Sequence, residues 1–180
     1  MRRSIANIAT AVLLGWLVQG SAAVAAPPTL AEIEAAENSL ADLWMLLPYT
    51  ARHVMFVSRK AGMYGDYEQR SSSAFAPGEK LLTYLEPVGY AWKTLGPNSY
   101  GFGVTADFEI FTRSGKVLAG QKGFQKVDLT SHYRNREFFL SLTLSIDGLD
   151  PGDYVLAYTL HDNVSGQSTR LEQPFTVRSS

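Results

Sequence analysis

Three observations in the sequence predict a mainly β protein, a single antiparallel sandwich of about seven strands led by one amphipathic helix. From about Ser73 onward, apolar and polar residues alternate with a period of two. Turn dipeptides rich in Gly, Pro, Asp and Ser punctuate that alternation at short intervals. No helical period intervenes between the alternating runs, which excludes a parallel sheet wound with helices. The chain has 180 residues, 46 % of them hydrophobic and 18 % charged, with a net charge of -1. That is ample for one packed core and unlike a disordered chain. It contains no cysteine, so disulfides, thiolate metal sites, a cysteine nucleophile and a lipid-modified N-terminal cysteine are all excluded.

The N-terminus reads as an address. Arg2 and Arg3 precede an apolar stretch from Ile5 to Val18, and the small residues Ser21 to Ala26 follow it. This is the three-part pattern of a secretory signal peptide, with cleavage expected after Ala25. The stretch falls short of the roughly 20 residues a membrane helix needs, which argues against a retained anchor. Ser4-Ile5-Ala6-Asn7 is a poor match to a twin-arginine signal. The expected organisation is a cleaved peptide at 1–25, a helix and irregular linker at 26–72, and a β-sandwich at 73–180. A periplasmic or secreted location follows, with no membrane-spanning segment left after cleavage. Loss of Arg2 and Arg3 makes the mature chain more acidic, a poor match to nucleic-acid phosphates.

Thr29-Leu30-Ala31-Glu32 has capping-box spacing, and Pro27-Pro28 keep a helix from starting earlier. Leu30, Ile33, Ala36, Leu40, Leu43, Trp44 and Leu47 then recur at helical spacing up to Pro48, predicting a helix over 30–47. Its stripe is expected to lie on the main domain; the alternative is a short coiled-coil or partner helix. Residues 49–58 fit a short helix or a strand, and 60–73 have no sustained period. Strands follow near 73–76, 80–86, 100–112, 116–127, 136–146, 153–161 and 168–177. Gly120 and Gly123 mark a bulge in the fourth.

Leu140, Leu142, Leu144 and Ile146 alternate with Ser141, Thr143 and Ser145, and Tyr154, Leu156, Tyr158 and Leu160 repeat the pattern. Between them stands Leu149-Asp150-Pro151-Gly152-Asp153-Tyr154. A Tyr opening the later strand is where an immunoglobulin-like sandwich places its tyrosine corner, the hydroxyl bonding back across the loop. The expected fold is therefore an immunoglobulin- or fibronectin-like sandwich. Phe75 to Glu79, Tyr84 with Glu86, Leu149 to Tyr154, Asp162 with Ser165-Gly166, and Phe175-Thr176-Val177 together resemble uncharacterised bacterial envelope proteins. The resemblance implies a signal peptide, a short helical lead and one C-terminal β-sandwich, and it implies no activity or cofactor. Antibody-type domains carry an inter-sheet cysteine pair that this chain lacks.

Few residues point to chemistry. His53, His132 and His161 are the only histidines, and none lies near a G-x-S-x-G turn, so no nucleophile and base pair emerges. His161-Asp162 is the one adjacent pair that could ligate zinc, and it falls where a strand meets a turn. Asp147, Asp150 and Asp153 recur every third position around a turn, a calcium-like set of hard oxygens that turn chemistry also selects. Asp107 and Glu109 share a strand face and could serve glycan hydrolysis if a cleft set them against each other. His132, Arg134 and Arg136, with Lys122 and Lys126 nearby, form the only basic concentration. It is either a solvated strand rim or a patch for an anionic partner such as a lipid headgroup or acidic glycan. Tyr90, Trp92 and Tyr100 stand in a Gly-rich connection, where flat rings could stack on a sugar or fill a partner's pocket, or could fold back to close the sandwich. The expectation is an exported, non-catalytic envelope binding module without cofactor, its partner an envelope protein or glycan. The alternatives are a glycan-binding or glycan-hydrolysing protein and a calcium-stabilised adhesion module.

Overall fold

A computed structural model describes residues 26–179 of the chain. The expected signal peptide at 1–25 lies outside them. One helix and nine strands follow in order: α1 (Leu30–Trp44), β1 (Thr50–Phe56), β2 (Ala74–Phe75), β3 (Lys80–Val88), β4 (Lys93–Gly96), β5 (Ser99–Thr112), β6 (Val117–Ser131), β7 (Leu140–Ser145), β8 (Gly152–Asp162) and β9 (Ser168–Val177). The protein is mainly β. Among the described residues, no helix is long and apolar enough to cross a membrane.

The capping box closes as its spacing demands. Glu32 Oε2 accepts from the Thr29 backbone at 2.7 Å, and Thr29 Oγ1 accepts from the Glu32 backbone at 3.3 Å. The helix ends at Trp44, short of the expected residue 47, because the chain tightens there. Leu46 and Leu47 bond back to the carbonyls of Leu43 and Trp44, three residues away, and Pro48 blocks continuation. The apolar stripe does not lie on the domain as expected. Only Ala41 and Trp44 are buried, while Leu30, Ile33, Leu40 and Leu43 stand in solvent.

The strands form two sheets. The smaller has the order β1-β3-β7, antiparallel throughout. The larger has the order β2-β9-β8-β5-β4, and β6 pairs with β5. Since β6 and β8 both bond to the same stretch of β5, they lie on its opposite edges. Leu81, Leu85, Leu140, Leu142 and Leu144 of the small sheet share one core with Val104, Leu156, Tyr158 and Phe175 of the large one. A polar link crosses that core: Tyr158 Oη donates to Thr83 Oγ1, which donates to Gln173 Oε1 at 3.1 Å.

The architecture differs from the expected seven antiparallel strands in three respects. β2 pairs with β9 in parallel, so the large sheet is mixed. β1 is an edge strand bonded to β3, which puts residues 50–56 in the sheet and not in a linker ahead of residue 73. Its alternation is hidden by a register shift between Arg52 and Met55, where His53 adopts a φ of 52°. β4 lies inside the aromatic connection and forms a hairpin with β5, paired through Lys93 with Gly101 and Thr94 with Tyr100.

Two local devices form, and of the two glycines expected to mark the bulge only Gly123 does, Gly120 pairing regularly with Glu109. Gly123, at φ 61°, occupies a register shift of the β5–β6 ladder, and its N–H donates to Asp107 Oδ1 at 2.7 Å. Tyr154 Oη donates to the Asp150 carbonyl at 2.7 Å, while its ring stacks on Phe175 at 5.5 Å. Tyr154→Phe keeps the stacking and removes one hydrogen bond. Urea unfolding is expected to show a loss of ~1 kcal/mol, and an unchanged midpoint would mean the corner contributes nothing.

Candidate functional site

Side-chain alternation along β3 creates the floor of the site. Leu81, Thr83 and Leu85 face the inter-sheet core, so Tyr84 and Glu86 face the opposite side of the small sheet. That side would be open to water, but the segment after β1 folds back over it. The Ser58 N–H bonds to the Glu68 carbonyl and the Arg70 N–H to the Phe56 carbonyl, both at 2.9 Å, which closes the segment into a flap. Tyr67 packs 4.6 Å from Tyr84, Phe139 stacks on Tyr84 at 5.6 Å, and the Gly65 N–H donates to Tyr84 Oη at 2.8 Å.

Beneath this cover Glu86 is only 3 % exposed. A buried carboxylate needs partners, and it has them: Tyr84 Oη donates to Oε1 and Arg52 Nε to Oε2, both at 2.8 Å. Arg52 also donates to Tyr64 Oη. Burial pushes the Glu86 carboxyl up, but hydrogen bonds from Tyr84, Arg52 and Tyr64 outweigh it and hold the carboxyl below the usual Glu range. The same burial raises the Tyr84 hydroxyl well above the usual tyrosine range.

Arg52 and Tyr64 form the base of a cleft of about 780 Å³. One wall is α1, which contributes Asn38 and Trp44; the other is the strap 133–137, which contributes Tyr133, Arg134 and Arg136. The strap is pinned by its own backbone. The Asn135 carbonyl accepts from Tyr90 Oη at 2.8 Å and from Trp92 Nε1 at 3.0 Å. Arg134 reaches across to Asn38 Oδ1 at 2.8 Å and Asp42 Oδ1 at 3.4 Å, joining the two walls. Arg136 makes no ion pair among the described residues. Three guanidinium groups thus line one cleft beside Trp44, Tyr64 and Tyr133, with Glu37 and Glu137 as its acidic members.

The residues singled out from sequence separate here. Arg134 and Arg136 come together in the cleft. His132 leaves it and hydrogen-bonds the Asn98 carbonyl at 2.8 Å, in the turn between β4 and β5. Lys126 pairs with Asp128 on β6. Tyr90 is wholly buried among Trp44, Trp92, Phe102 and Phe138, so it presents no face to a ligand. Trp92 is half-buried, packed at 5.9 Å from Trp44, and Tyr100 is half-buried on β5. The connection packs Tyr90 and part of Trp92 against Trp44, and Tyr90 also against Phe102 and Phe138.

The three turn aspartates Asp147, Asp150 and Asp153 have separate local contacts. Among the described residues no group of three or more acidic or His side chains is placed to hold a metal ion. Asp147 accepts from Ser145 Oγ, Asp153 accepts from Thr176 Oγ1 and faces Arg113, and Asp150 contributes its carbonyl to the tyrosine corner. Asp107 bonds to His161 Nε2 and the Gly123 N–H, and Glu109 pairs with Arg170, so these carboxylates are occupied separately. Asp162 is 1 % exposed and accepts from the Ala91 and Val164 N–H groups and Ser165 Oγ, a clamp between the β8–β9 turn and the aromatic connection. The floor of Arg52, Tyr64 and Glu86 was missed from sequence. Its one visible sign is a single charged residue, Glu86, inside the largely apolar run Leu81 to Val88.

No protein-family model matches the chain. No curated protein matches it either. Among solved structures, it is similar to the Pseudomonas fluorescens alkylpurine DNA glycosylase AlkC bound to DNA containing an abasic site analog, with 13 % identity and a TM-score of 0.41 over 79 % of this chain and 34 % of that one. The chain thus spans about a third of that protein's length. The C-terminal domain of wzt gives 15 % identity and a TM-score of 0.41 over 77 % and 86 % of the two chains. Spo0M, a sporulation control protein from Bacillus subtilis, gives 7 % identity and 0.36 over 74 % and 51 %.

Proposed function

We propose that the protein is an exported, non-catalytic envelope binding module of immunoglobulin-like type, whose cleft under α1 takes a carboxylate-bearing ligand of the acidic glycan class. The observation that carries this reading is Arg136, a guanidinium without an ion-pair partner among the described residues, lining the cleft beside Arg52 and Arg134. Planar guanidinium forks match carboxylates two hydrogen bonds at a time. Tyr64 and Tyr133 add flat apolar faces of the kind that stack on sugar rings. The tyrosine corner at Tyr154 and the core shared by two sheets support the immunoglobulin-like reading, with the parallel β2–β9 pair and the β6 strand as departures. Arg2, Arg3 and the apolar stretch from Ile5 to Val18 support a periplasmic or secreted location.

Calorimetric titration at low salt with an oligogalacturonate and with the same oligomer methyl-esterified tests the reading. The acid is expected to bind and the ester to bind at least ~10-fold more weakly, the loss of about one bidentate pair. Arg136→Ala should reproduce that loss with the acid. Equal heats from the two oligomers, no heat from either, or an Arg136→Ala protein that binds like the parent would overturn it.

A further inference from the structure

α1 has an apolar face that none of the described residues covers. Ile33, Ala36, Leu40, Leu43 and Leu47 are spaced by three, four, three and four residues, the repeat that lines one seam of a helix for packing against another helix. All five are exposed, Ile33 at 46 %, Leu43 at 61 % and Leu47, just past the helix end, at 47 %. The buried residues Ala41 and Trp44 lie beside this seam, so the helix rests on the sandwich by one edge and turns its apolar stripe outward. A helix of 15 residues is marginal by itself, and packing of an apolar face is the usual source of its stability.

Charge narrows what fits. Glu32, Glu34, Glu37 and Asp42 are the charged residues of α1, and no Lys or Arg occurs between Arg3 and Arg52. With Ile33 and Leu40 in one seam position and Ala36 and Leu43 in the other, Glu32 and Glu37 occupy the flanking positions that pair across such an interface. In a parallel pairing with a second copy, Glu32 would face the partner's Glu37, a like-charge contact. Anionic lipid is disfavoured for the same reason.

We propose that this stripe is a docking seam for an amphipathic helix of another protein, apolar along its own seam and rich in Lys or Arg along the flanks. The seam borders the arginine cleft at Leu40 and Glu37, while Ile33, Ala36, Leu43 and Leu47 lie outside it.

The test uses two fluorescein-labelled synthetic peptides of three heptads, with Ile and Leu at the seam positions and either Lys or Glu at every flanking position. Fluorescence anisotropy with the purified protein should show saturable binding of the Lys peptide and at least ~10-fold weaker binding of the Glu peptide. The Ile33→Glu/Leu43→Glu double variant should lose the Lys peptide at least ~10-fold with an unchanged melting temperature, because both side chains are exposed. Charge attraction alone would act oppositely, since the variant is more acidic. Arg136→Ala should bind the Lys peptide like the parent, which separates this seam from the cleft. Four results would each overturn the proposal: no binding of the Lys peptide, undiminished binding by the double variant, a dimer in sedimentation that the double variant abolishes, or flotation with phosphatidylcholine vesicles that it abolishes.

Discussion

Tyr90→Ala is expected to cost about 4 kcal/mol of unfolding free energy, the usual range for deleting a fully buried aromatic ring. Tyr90 is wholly buried and its ring meets four others, with centroids 5.2 Å from Trp44, 5.8 Å from Trp92, 5.1 Å from Phe102 and 5.9 Å from Phe138. Its backbone carbonyl accepts from Trp44 Nε1 at 3.0 Å, the hydrogen bond that seats α1 on the β sheets. Its hydroxyl holds the Asn135 carbonyl of the strap. The ring therefore supports both walls of the cleft. Urea unfolding measures the loss, and Tyr90→Phe, which keeps the ring and drops one hydrogen bond, is expected to lose only ~1 kcal/mol. A loss below ~1 kcal/mol for the alanine variant would show that the cluster is not a packed core.

Arg52→Ala is expected to lower stability in a pH-dependent way. Removing one partner of a buried ion pair typically costs 3–5 kcal/mol. Here the Arg52 side chain is itself 52 % exposed, and Tyr84 still donates to the carboxylate. Solvent screening reduces the expected loss at pH 7 to ~2 kcal/mol. Because the fold holds the Glu86 carboxyl below its usual value, the associated stability is fully present above the unfolded-state value of about 4.3 and is lost as pH falls through the folded value. The difference between parent and variant should therefore be flat from neutral pH down to about pH 5 and shrink as the carboxyl is protonated below that. Urea midpoints measured at pH 7, 5 and 3 check it, and a difference that grows in acid would rule out Glu86 as the group responsible.

The β framework was legible because its signals are local. Alternation in Leu140 to Ser145 and in Tyr154 to Leu160, together with the turn residues between them, places β7 and β8 and even the Tyr154 hydroxyl. What escaped was decided at a distance. β1 reads ambiguously because the bulge at His53 interrupts its period, and only pairing with β3 makes it a strand. The parallel contact of Ala74 and Phe75 with Thr176 and Val177 joins residues near opposite ends of the domain, which no local window reveals. Of the cleft, Arg134 and Arg136 were visible as a basic run, whereas Arg52, Tyr64 and Trp44 come from three separate segments. The stripe of α1 was seen, but periodicity alone cannot tell an apolar face turned inward from one turned outward.

The parallel pairing of β2 with β9 governs how the chain must fold. Ala74 and Phe75 find their partners only when Thr176 and Val177 have been made, and β9 also supplies the long ladder to β8. Contacts so remote along the chain have a high loop-closure cost, and β topologies of this kind fold over milliseconds to seconds rather than microseconds. The β2–β9 edge of the large sheet therefore forms only when residues 74–75 and 176–177 meet, and a chain that ends before Thr176 cannot make it. Until residues 168–177 are present, β8 has no partner on the side away from β5 and offers an unpaired strand edge.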